Sequence, residues 1–261
     1  MKEFAMALST EITKAVKSKV FTGTIIFSVF VALMIGVLFY IVKNPEMAQA
    51  SAIIRAKATI IGNADWKTFF NIMNLMIAVI GMFSFGFIMS WIFGREYADK
   101  TLKDIIALPV SGHYIVIAKY VVNFFWSLII SFLLLIVSLV MGYIIGLENW
   151  SSSYLITNLG RYFIIVLMNI VLCPVISFLA SWGRGYILPL GFIFLTILVS
   201  SFAINISENA RYIPWAVPLL YAGAVLKEGM DINTASLIVM IITGMAGFAG
   251  TIYWWRYADQ Y

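Results

Sequence analysis

Six apolar stretches, each 21 to 27 residues long and free of Asp, Glu, Lys, Arg and His, alternate with polar segments along this chain: 21–42, 69–93, 120–146, 162–182, 186–206 and 235–255. A helix needs ~20 apolar residues to cross the hydrocarbon of a bilayer, so each stretch predicts one transmembrane helix. The expected fold is all-α, a single transmembrane domain over 1–261. The first stretch is too long for the core of a signal peptide and is read as an uncleaved anchor. The third has length to spare for tilt. Pro174 is expected to bend the fourth, and Gly183-Arg184-Gly185 leaves room for only a tight hairpin between the fourth and fifth. In the sixth, Gly244, Gly247 and Gly250 allow close helix contact, before a terminus of interfacial aromatics, Tyr253, Trp254 and Trp255. Gly142 and Gly146 near the end of the third are read as local packing.

The polar segments carry patterns of their own. In 1–20, Phe4, Leu8, Ile12, Ala15 and Val16 share one helical face while Lys2, Lys14 and Lys17 can reach headgroups, which predicts an interfacial helix. Segment 207–234 contains an apolar piece, Tyr212–Leu226, with Pro214 and Pro218. It is too short to span, so a re-entrant or interfacial element is expected there. Segment 94–119 is a charged island between two long apolar runs. Within it Ala98, Leu102, Ile105 and Ile106 fall at helical spacing with Asp99, Lys100, Lys103 and Asp104 on other faces, and Pro109 ends the pattern. A short amphipathic helix outside the bilayer is predicted, with Glu96 at its start.

Composition strengthens the membrane reading: 62% of residues are hydrophobic and 11% charged, against roughly half apolar in soluble domains. The net charge of +5 suits anionic lipid headgroups rather than nucleic acid, because no basic cluster is interleaved with a soluble fold. One cysteine, Cys173, excludes an intrachain disulfide and is read as a packing residue.

Candidate chemistry is sparse. Residues 94–101, GREYADKT, come close to the phosphate-binding loop GxxxxGK[ST], but Asp99 replaces the second glycine and a membrane span precedes it. A carboxylate there repels phosphate and its Cβ obstructs the backbone nest, so no nucleotide site is expected in this chain. The single histidine, His113, has no company of metal-ligating residues in the sequence, and no metal site is expected. The apolar runs hold no ionisable acid or base, which argues against a proton-coupled carrier or ion pump. They do hold amides. Asn71, Asn74 and Asn169, with Tyr212 and Trp215 from the double-proline piece, are the residues that could line a path for an amphipathic or lipid-like cargo, interhelical hydrogen bonding being the other role open to the amides.

The order Arg95-Glu96, Thr101-Leu102-Lys103, Leu108-Pro109-Val110-Ser111 and Lys119 resembles the first cytoplasmic loop of type 2 ABC transporter permeases, most of all the bacitracin-resistance type. The family often has Arg after the Pro-hydrophobic-Ser step, where Gly112 stands here. The resemblance implies six spans working as a homodimer or heterodimer, a coupling helix in 94–119 that docks on a separate ATP-binding subunit, and ATP and Mg held by that subunit rather than by this chain. It also implies coupling roles for Glu96, Ala98, Thr101, Leu102, Ile105, Ile106 and Pro109. With both termini and the island in the cytoplasm, 10 of the 17 Lys and Arg face inside, a bias in the direction of the positive-inside rule. The expected function is the permease subunit of an ATP-driven exporter in the plasma membrane, extruding an amphipathic antimicrobial peptide or a lipid-like compound. An intramembrane enzyme acting on lipid or isoprenoid substrates, and a stress-sensing permease without bulk transport, stay open at this stage.

Overall fold

The computed structural model describes residues 2–44, 61–101, 111–223 and 232–257. These form α1 (Lys2–Val16), α2 (Lys19–Lys43), α3 (Trp66–Ala98), α4 (Gly112–Ile145), α5 (Ser152–Trp182), α6 (Ile187–Ile206), the short α7 (Val217–Tyr221) and α8 (Thr234–Tyr257), with tight turns at Glu208–Tyr212 and Pro214–Ala216 between α6 and α7. No strand is formed among the described residues, and six helices, α2 to α6 and α8, are long and apolar enough to cross a membrane. Apolar residues on every side of these helices fit an environment of protein on one face and lipid on the other.

Local chemistry fixes where helices start and stop. Ser18 caps α2 by accepting from the Phe21 amide, and Asp65 caps α3 by accepting from the Thr68 amide at 2.8 Å. Gly146 closes α4 in the left-handed conformation, φ 68°, where a Cβ would be strained. The helices run alternately up and down. One end of the bundle gathers α1, the starts of α2, α4 and α6, and the ends of α3, α5 and α8. At the far end Lys43 donates to the carbonyls of Ile145 and Gly146, and Trp66 meets Trp150 edge to face at 4.7 Å.

The centre is built by α5, which packs most extensively on α3 and on α8. The glycines of α8 make the second contact close. A Cβ on Gly247 would lie 2.5 Å from the Val175 amide nitrogen and 2.7 Å from the Pro174 carbonyl carbon, and one on Gly244 would meet the Val171 carbonyl oxygen. Helix α5 runs through Pro174. Gly142 serves α4 similarly, facing the Trp66 ring of α3. The segment after α6 turns back on the bundle, and Val217 packs with Met168, Leu172 and Met240, so it reaches about 24 Å along α5 from that helix's start.

The charged island is shorter than its sequence suggests. Helix α3 continues through Gly94, Arg95 and Glu96 to Ala98, and α4 already begins at Gly112, so Lys119 lies two turns inside it. Both charged ends enter the bundle because they find partners there. Ala98 is thus the exposed last residue of α3 rather than part of a separate island helix. Leu102, Ile105, Ile106 and Pro109 lie outside the described residues. On helix α1, Ile12 and Val16 of the apolar face are exposed, while Ala15 and Glu11 point into the bundle. Lys14, expected to reach headgroups, bonds Glu11 and Glu96 instead.

Candidate functional site

Five charged side chains from three helices meet at the end of the bundle that carries α1. Helix α1 brings Glu11 and Lys14, α3 brings Arg95 and Glu96, and α4 brings Lys119. Lys119 is fully buried. Its ammonium donates to Glu11 Oε2 at 3.0 Å, Glu96 Oε1 at 2.8 Å and the Ile92 carbonyl at 3.1 Å, so each of its three protons has an acceptor. Arg95 donates from Nη2 to Glu11 Oε2 at 3.2 Å and from Nε to Glu96 Oε1 at 3.3 Å. Its guanidinium also lies over the Trp91 ring, 4.5 Å from the centroid. Lys14 closes the cluster with bonds of 3.1 Å to Glu11 and 3.3 Å to Glu96.

Three cations face two carboxylates, so the cluster carries one net positive charge. Burying charges is costly, and mutual attraction offsets that cost only where the remaining donors and acceptors are satisfied. Here both carboxylates and the Lys119 ammonium are: Glu96 Oε1 serves Lys14, Arg95 and Lys119, while Oε2 accepts from the Thr101 hydroxyl at 2.9 Å. The Thr101 amide donates to the Glu96 carbonyl at 3.1 Å. Thr101 follows Lys100, which takes a left-handed φ of 57°. Glu96 therefore holds three things at once: α1, α4 and Thr101, three residues beyond the end of α3.

A second network lies beside it. Tyr120 of α4 bonds Ser177 of α5 at 2.6 Å, Ser177 bonds Thr251 of α8 at 2.9 Å, and Trp255 donates to Ser181 at 3.0 Å. The turn before α6 closes on α3, since a Cβ on Gly94 would lie 2.8 Å from the Tyr186 ring and 3.0 Å from the Gly185 carbonyl. These contacts tie one end of the bundle into a connected block.

The structure brings some of the predicted residues together. Glu96 and Thr101 are bonded to each other, although Glu96 stands in the last turn of α3 and is buried, rather than in the first turn of an exposed helix. The proposed path residues do not form one lining. Asn74 donates to Asn158 at 3.2 Å, and Asn169 donates to the Ile77 carbonyl at 3.1 Å, both in the seam between α3 and α5. Asn71 is exposed. Tyr212 is exposed in the segment after α6, and Trp215 meets Phe192 of α6 edge to face at 5.0 Å. The Asn74 and Asn169 side-chain oxygens have no partner among the described residues.

Sequence reasoning missed Glu11. It is the one carboxylate between Phe4 and Val42, and it shares a helical face with the small residues Ala7 and Ala15, a face that admits close approach. Those two signs mark it as a residue with a buried partner, but the apolar pattern of α1 drew the face elsewhere.

The family model described as ABC-2 family transporter protein matches residues 7–200. The chain is also similar to the bacitracin transport permease protein BCRB of Bacillus licheniformis, 28% identical over 196 residues, which cover 74% of this chain and 92% of that protein. No solved structure matches the chain significantly.

Proposed function

The chain belongs to the ABC-2 family of transporter proteins, and from that premise we propose that this permease subunit serves an ATP-driven exporter of an amphipathic antimicrobial peptide or a lipid-like compound. Similarity to a bacitracin transport permease supports that class of cargo. The chain works in the plasma membrane as one half of a permease dimer, with an identical or homologous partner. ATP and Mg are bound, and ATP hydrolysed, by a separate subunit.

In this reading the end that carries the ionic cluster is cytoplasmic, together with both termini, and 99–111 is the loop that docks on the ATP-binding subunit. The observation that carries it is the pair of hydrogen bonds that Thr101 donates to Glu96, from its amide to the carbonyl and from its hydroxyl to Oε2. A push on the loop is received at Thr101, passes to Glu96, and from there reaches α1 through Lys14 and α4 through Lys119. The loop thus acts on three helices instead of hinging freely at the end of α3. Leu102, Ile105 and Ile106 supply the apolar contact with the partner, and Pro109 ends it. From the opposite, outer end, segment 207–234 enters the membrane and returns to the same side, with Tyr212 nearer the exit and Trp215 deeper, against Phe192 of α6.

Expression in a sensitive host tests the reading. With its ATP-binding subunit the chain should raise tolerance to bacitracin-like peptides, and a hydrolysis-deficient subunit should abolish that gain. Tolerance gained from the permease alone, or no tolerance to any amphipathic peptide in the presence of both subunits, would contradict it.

A further inference from the structure

An apolar groove of about 200 Å³ runs between α1, the start of α2 and α4, beside the ionic cluster but separate from it. Leu8, Ile12 and Val16 form one wall, Phe21 closes the end near α2, and Val121 to Ile129 of α4 form the floor. The floor extends about 12 Å along α4, long enough for a substantial part of an acyl chain. Ile12, Val16, Phe125 and Ile129 are all exposed, so the groove is open at the side. In a membrane-spanning chain that side meets lipid, and the apolar lining offers a hydrocarbon tail dispersion contacts without any polar group to satisfy.

The turn that joins two of the groove's walls is charged. Val16 and Phe21 line the groove, and the residues joining them include Lys17 and Lys19, both exposed. Lys14 is committed to Glu11 and Glu96, whereas Lys17 and Lys19 make no ion pair among the described residues. The other carboxylate of α1, Glu3, lies about 21 Å along the helix from Lys17. Two exposed lysines without an ion pair among the described residues, in the turn beside a hydrocarbon-lined groove, match a molecule with an anionic head and an acyl tail.

We propose that this groove is a binding site for an anionic phospholipid, with one acyl chain along α4 between Val121 and Ile129 and the headgroup phosphate between Lys17 and Lys19. The site does not depend on the cargo or on the direction of transport. A bound lipid would fill the space between α1 and α4 and brace the helix that carries Glu11.

Native mass spectrometry of the purified full chain tests this, with phosphatidylglycerol and phosphatidylcholine of equal chain length offered in equal amounts. The wild type should retain phosphatidylglycerol preferentially. Lys17→Gln and Lys19→Gln should each lower that preference about fivefold, while Lys67→Gln, an equal loss of charge in α3 at the far end, should leave it unchanged. Ile12→Trp, which fills the groove from an exposed position, should reduce retention of both lipids. Equal retention of the two lipids by the wild type would overturn the proposal. So would an equal effect of Lys67→Gln, which would mean an unspecific response to net charge, or full retention by Ile12→Trp.

Discussion

The ammonium of Lys119 lies 2.8 Å from the carboxylate of Glu96, with no part of the lysine side chain exposed. Around that pair the balance of charge predicts an order of severity among mutants. Glu96→Gln leaves three cations facing one carboxylate, whereas Lys119→Met leaves two cations facing two carboxylates in a better balance. Loss of Glu96 should therefore cost about 3 to 5 kcal/mol, the range for breaking a buried ion pair, and Lys119→Met should cost less. Thermal unfolding of the detergent-purified variants checks the order. A larger loss from Lys119→Met would show that the three bonds made by its ammonium outweigh the charge balance.

Close packing of α8 on α5 gives a second test, set by backbone rather than charge. A Cβ at Gly247 would press on the Val175 and Pro174 backbone, which cannot swing aside, while one at Gly250 would meet the Phe178 ring at 3.0 Å, a side chain that can shift. Gly247→Ala should destabilise by ~1 to 3 kcal/mol through overpacking. Gly250→Ala should cost less, and Gly191→Ala, where nothing lies within 4 Å, should cost nothing by the same thermal measurement.

Much of this fold is legible in the sequence because a bilayer demands long apolar helices, and the six runs 21–42 to 235–255 each became one. The helix ends were less legible. Apolar run length marks where hydrocarbon ends, whereas a helix ends where its backbone loses partners. Helix α5 thus starts at Ser152, ten residues before its apolar run, and α3 passes through Arg95 and Glu96. At the site, Glu96 stood out as charged but read as a helix-start residue, since its neutralising partners Lys14 and Lys119 come from distant parts of the chain. Glu11 was hidden by its helix, whose larger apolar side chains mark a different face from the one that packs. Asn74 and Asn169 were visible as intramembrane amides, and their partners needed the pairing of α3 with α5.

Orientation is open to chemical labelling. Ser111 directly precedes α4 and Ser152 begins α5, at opposite ends of the bundle, and both are exposed. In intact cells a cysteine at Ser152 should react with an impermeant thiol reagent and one at Ser111 should not. The native Cys173 is buried and should stay silent. Labelling at Ser111 alone would turn the molecule over and place the ionic cluster outside.

The most direct test of the account is retention of the ATP-binding subunit by the loop between α3 and α4. Leu102 directly follows Thr101, the residue that Glu96 holds, and Leu102→Asp would put an unpaired carboxylate into an apolar contact. Affinity purification of the wild-type chain from membranes should recover an ATP-binding subunit in equal number. The Leu102→Asp variant should insert and purify in the same yield without that subunit. Equal recovery of the subunit with both chains, or none with the wild type, would contradict coupling through this loop.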